Sequence, residues 1–149
     1  GNHGNQEEAK ARFNFIFRVF IRLITSYFAP LVMVLDDLQW EEINNAKLEE
    51  WQKTGADYAM HVPDLAQKIV KPSGEWNSSK IIFTPTLVEH WVNGKKIVSF
   101  VTWSEDWKEE KAAGKWKDSP LYGSFKTGYI GLQDHDSPLW FKEIRIRKL

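Results

Sequence analysis

A chain of 149 residues, 42% hydrophobic and 27% charged, has the composition of one globular domain and not of a disordered tail. Twenty basic residues balance twenty acidic ones, which argues against a general nucleic-acid binder or a polybasic membrane-surface protein. With no cysteine there is no disulfide framework, no thiolate metal site and no thiol nucleophile.

The sequence opens GNHG and shows no signal peptide: no basic start, short apolar core and small-residue cleavage site. Residues 6–28 predict a helix. Glu7 and Glu8 stand where a helix dipole favours acids, and Phe13, Phe17, Phe20, Ile21 and Ile24 recur at three-and-four spacing. Phe15, Ile16, Val19 and Leu23 widen that stripe, so the helix is expected to be buried on more than one face. Arg18, Arg22 and Pro30 interrupt the apolar run before it reaches the roughly 18 residues of a membrane span, so none is expected. Leu31 to Leu35 follows as a short buried strand that ends in Asp36 and Asp37. Residues 41–53 predict a short exposed helix with Ile43, Leu48 and Trp51 inward.

From Thr54 the pattern changes. Residues 80–84, 86–92, 96–103, 128–133 and 139–146 are predicted strands, and 104–116 a short amphipathic helix. Asn93-Gly94 between two strands is a strong hairpin signal. A two-residue loop there pairs Val92 with Lys95, Trp91 with Lys96, His90 with Ile97 and Glu89 with Val98. One face then carries Val88, His90, Val92, Ile97 and Val101, as a sandwich core would. The other carries Leu87, Glu89, Trp91, Lys96, Val98 and Phe100, which suits a groove floor. Ile130 and Leu132 should point to the core, and Gly131, Gln133 and His135 away from it. Seven of the eight tryptophans follow residue 50 and could line a groove by stacking on flat faces of a ligand.

Two stretches could carry chemistry. Residues 30–37, PLVMVLDD, end as a nucleotide-hydrolysing strand ends when it offers acids to magnesium. That role needs a GxxxxGK[ST] phosphate loop, and none occurs in these residues, so ATP hydrolysis by this chain is not expected. Still, residues 17–40, FRVFIRLITSYFAPLVMVLDDLQW, resemble the acidic-strand (Walker B) segment of AAA+-like signalling ATPases, a likeness covering about residues 12–40. The second stretch is Glu89, His90 and Trp91 together with Gln133, Asp134 and His135. Acids and histidines in that combination suit general acid–base work on a sugar or a small carbonyl compound. No metal-ligand spacing demands a metal, and no cofactor is expected.

From about Thr54 onward the chain resembles the 3-keto-disaccharide hydrolase family. TGADYAMHVP, VKPSGEWNSSKIIF, VEHWVNGKKIV, SEDWKE and GYIGLQDHDSPLWFKEIRIRKL carry the likeness, in order. It implies a mainly β chain: a partial concanavalin A-like β-sandwich (jelly roll), residues 54–149. Residues 1–53 would supply an N-terminal α-helix packed on it, a strand and a linker helix. The likeness also implies action on glycosidic bonds of 3-keto-glycosides, which needs a base, an acid and a group to polarise the ketone. Glu89, His90, Asp134 and His135 are the catalytic candidates. Asn77 and Gln133 would bind hydroxyls, and Trp91 and Trp140 would stack on the ring. A carbohydrate is the expected ligand, and nucleic acid is not expected. The family domain is nearly twice as long, so a partner chain completing the sheet is a further expectation. Its location would be secreted or periplasmic. A non-catalytic sugar-binding module and an inactive truncated chimera are the alternatives.

Overall fold

The computed structural model describes residues 13–21, 37–125, 130–132, 139–147 and 149. Five strands, β1 (Phe13–Ile21), β2 (Trp76–Thr84), β3 (Leu87–Val92), β4 (Lys95–Phe100) and β5 (Leu139–Arg147), form one sheet in the order β4-β3-β2-β1-β5. The meander β2-β3-β4 is antiparallel, and β1 runs parallel to both β2 and β5. There are two α-helices among the described residues, α1 (Asp37–Asn44) and α2 (Glu105–Ala113). Among the described residues no helix is long and apolar enough to cross a membrane.

The predicted N-terminal helix is corrected: its residues 13–21 are strand β1, lying between β2 and β5. Apolar residues occupy nearly every position there, so helical spacing is satisfied by default and cannot discriminate. The β-branched and aromatic content of FNFIFRVFI is the better signal, because such residues suit an interior strand. The predicted strand at 31–35 lies outside the described residues. The helix predicted over 41–53 is instead α1 followed by a single 3-10 turn at Glu50–Gln52. Leu48 is buried as expected and Trp51 half-buried, but Ile43 faces solvent. Ile130 and Leu132, expected in the core, are exposed and lie in no strand.

The hairpin forms as its sequence requires. Asn93 and Gly94 have φ of +47° and +81°, the two positive values of a type I′ turn. The first two rungs, Val92–Lys95 and Trp91–Lys96, are the expected ones. A bulge at Ile97 then shifts the register, so His90 pairs with Val98, Glu89 with Ser99 and Val88 with Phe100. Val98 and Phe100 therefore join the core face, against expectation, and Val101 is exposed.

The core sits on that face. Met60, Phe83, Val88, Val98, Phe100, Trp107 and Tyr122 cluster there, with Trp103 and Trp116 packed alongside. Helix α2 starts at the Ser104 cap, whose hydroxyl accepts from the Trp107 amide at 3.2 Å, and it buries only Trp107. Further cover comes from the loop around residues 54–62, which contributes Met60. Gly55 of that loop carries φ +90°, and a Cβ there would meet Ile97 Cδ1 at 2.0 Å.

Candidate functional site

The opposite face of the sheet carries a different set of side chains. Along β2 it presents Trp76, Ser78 and Lys80, and along β3 Glu89 and Trp91, paired with Ser99 and Lys96 of β4. Through β1 the register places Trp140 level with Trp76. Glu89 is nearly buried. Its Oε2 accepts from Trp91 Nε1 at 2.9 Å, and its Oε1 accepts from the Lys96 ammonium at 3.1 Å. The Lys80 ammonium lies 3.8 Å over the Trp91 ring, and that of Lys142 lies 4.0 Å over Trp76. Trp140 is 41% exposed. Glu89, Trp91 and Trp140 are thus brought to one face, as a groove floor requires. Lys80, Trp76 and Lys142 escaped sequence reading. Period two run back from Lys80 along WNSSK would have placed Trp76 and Lys80 together.

His90 and Asn77, expected at the site, both point into the core face, away from Glu89. Asn77 is fully buried and its amide is committed to the chain. Its Oδ1 accepts from the Lys71 amide at 2.8 Å and from Asn93 Nδ2 at 2.7 Å, and its Nδ2 donates to the Lys71 carbonyl at 3.0 Å. It fixes the loop before β2 to the hairpin and offers no atom to a sugar hydroxyl. His90 Nδ1 donates to the Gly55 carbonyl at 3.0 Å, so Nε2 carries the lone pair. Beside it lies a group that sequence reading missed. His61 Nδ1 bonds Asp57 Oδ2 at 2.8 Å inside a closed turn, and the His61 ring stacks on Phe100 at 4.1 Å. The D-x-x-x-H spacing in TGADYAMHVP was the available signal. Burial, with the Asp57 carboxylate beside it, pushes the Tyr122 hydroxyl well above its ordinary pKa.

Burial holds His90 below the ordinary imidazole value, although the Asp57 charge and the Gly55 carbonyl oppose this. The sign follows. An unfolded chain binds a proton at His90 below about pH 6.5 while the folded chain resists it, so this contribution is complete above pH 6.5 and declines as pH falls below it. Urea unfolding at pH 7.5 and 5.0 should show a loss of stability on acidification that is smaller in His90→Asn. An equal loss in both would contradict it.

Asp36, Gln133, Asp134 and His135 lie outside the described residues. Asp37 opens α1, accepts from the Thr54 amide at 2.9 Å and forms an ion pair with Lys68. It ties the segment before residue 53 to the segment after it, a structural task unlike holding a magnesium ion.

Residues 29–147 match the family described as the 3-keto-alpha-glucoside-1,2-lyase-like domain. That range begins upstream of Thr54 and includes Asp36 and Asp37. A 3-keto-disaccharide hydrolase of Bacteroides thetaiotaomicron is 30% identical over 132 residues, covering 81% of this chain and 44% of that protein. A crystal structure of a Parabacteroides distasonis protein assigned as a glycosyl hydrolase superposes with a TM-score of 0.60 at 45% identity. It covers 68% of this chain and 46% of the other. The chain therefore spans a little under half the length of these relatives. Its mainly β structure is consistent with one layer of a concanavalin A-like sandwich.

Proposed function

The chain belongs to the 3-keto-alpha-glucoside-1,2-lyase-like domain family, and on that premise we propose that its open sheet face binds a 3-keto-glycoside and cleaves the glycosidic bond by elimination. A ketone at C3 of the sugar acidifies the hydrogen on C2. A base takes that proton and the electron pair passes into an enolate. The enolate reforms the ketone as a C1–C2 double bond appears and the C1–oxygen bond breaks. The departing oxygen takes a proton from an acid, and water added across the double bond completes hydrolysis.

Glu89 is the proposed base. The Lys96 ammonium donates to its Oε1 at 3.1 Å and stands near enough to stabilise an enolate oxygen. Trp91 and Trp140 supply flat apolar surface for the ring, joined by Trp76. Asp134 or His135 is the proposed acid and Gln133 a hydroxyl contact, since their segment leads into β5 next to Trp140. The observation that carries this reading is the grouping of Glu89, Trp91 and Lys96 by direct hydrogen bonds on one open face.

Turnover of a 3-keto-disaccharide by Glu89→Gln should fall on the order of 100-fold, with its dissociation constant little changed. Undiminished turnover would remove Glu89 as the base. A second reading, binding without catalysis, is favoured by the near-burial of Glu89 with both oxygens engaged. It expects the unaltered chain to bind the sugar and leave it intact. A chain that neither binds nor turns over the sugar sinks both readings.

A further inference from the structure

The open face is strongly cationic, although the chain as a whole has zero net charge. One level of the sheet reads Arg145–Arg18–Lys80–Trp91–Lys96 across all five strands, each pair in register with the next. Arg147 is level with Ile82 through the same register, and Lys142 lies over Trp76. Among the described residues, Glu89 is bonded to Lys96 and Glu143 lies 4.0 Å from Arg145, while the ammonium groups of Lys80 and Lys142 lie over indole rings.

From this we infer that the face selects a sugar bearing an anionic substituent, a carboxylate or a sulfate ester, an inference that rests on this face being the sugar site. The ammonium groups of Lys80 and Lys142 lie over the indole faces that a sugar would stack on. A neutral ring must displace an ammonium from the indole before it can stack. An anionic sugar keeps that ammonium as a partner for its charged substituent while the ring rests on the indole edge and its neighbours. Lys80 and Arg145 stand two strand spacings apart, about 9–10 Å. That separation lets one sugar unit reach the indole while a substituent on the next reaches the guanidinium.

The test is a tryptophan-fluorescence titration of the whole chain with three probes: a glucose disaccharide, the same disaccharide oxidised to a carboxylate at C6, and its 6-sulfate. At low salt the carboxylate or the sulfate should bind about tenfold tighter than the neutral sugar. The advantage should shrink as ionic strength rises. Which of the two anions gains more identifies the natural substituent. Lys80→Met should reduce the advantage and raise neutral-sugar affinity, because no ammonium then has to leave the Trp91 indole, whereas the exposed Arg145→Gln should reduce the advantage and leave neutral-sugar affinity in place. Equal affinity for all three probes overturns the charge inference and leaves the sugar reading standing. Failure of all three to bind overturns the charge inference, and the sugar reading falls with it only if a 3-keto-disaccharide fails to bind as well. A single-stranded oligonucleotide that binds more tightly than either anionic sugar also overturns the inference, by marking a polyanion surface.

Discussion

Trp107→Ala should destabilise the fold by about 3–5 kcal/mol, a large part of the roughly 5–15 kcal/mol that holds a domain of this size together. Trp107 is the one residue that α2 buries, so the docking of the helix depends on a single ring. That ring lies parallel to Tyr122 at 6.1 Å, and Tyr122 in turn stacks on Trp116 at 4.3 Å. Its outer edge fits against Gly123, where a Cβ would stand 2.4 Å from Trp107 Cη2. Removing the indole leaves a cavity that the flat neighbours cannot collapse to fill. Urea denaturation followed by far-UV and near-UV circular dichroism measures the effect. Trp107→Phe, which keeps a ring in the stack, should cost clearly less. A loss under about 1 kcal/mol for the alanine variant would show that α2 docks by other means.

Gly55→Ala should cost about 2–5 kcal/mol through two separable causes. The positive φ of Gly55 penalises any side chain by about 1–2 kcal/mol, and forcing a methyl group into filled space costs about 1–3 kcal/mol more. The space is filled by Ile97 Cδ1, 2.0 Å from where the Cβ would be. Ile97→Val deletes that atom. The double variant should therefore recover the steric part and keep the backbone part, giving a coupling of about 1 kcal/mol or more between the two sites. Strict additivity would contradict the packing described. Gly55 also offers its carbonyl to His90, so the single variant should disturb the acid sensitivity of His90 as well.

Both residues stand in motifs that the sequence displays, yet their importance was not legible there. Gly55 reads as a turn glycine in TGADY, and only the bulge at Ile97 reveals what presses on it. The bulge belongs to the pairing of two strands, and Asn93-Gly94 predicts the turn but not where the ladder slips. His90 and Glu89 are adjacent, so alternation alone puts them on opposite faces. Which face is open depends on α2 and the 54–62 loop covering one of them. Asn77 reads as a polar residue available to a ligand, and only its three hydrogen bonds to the chain remove it.

What the sequence by itself determined are the features set by local geometry: the type I′ turn at Asn93-Gly94, the short helix within residues 104–116, and alternating strands at β2, β3 and β5. Each depends on a few neighbouring residues and on the conformations they permit. Tertiary structure alone decided that residues 13–21 are a strand, because a continuous apolar run suits either conformation until its neighbours are known. It also decided the cationic row, because Arg145, Lys80 and Lys96 are distant in sequence and become neighbours only through hydrogen-bond register. Register is a property of strand pairs, and no single strand encodes it.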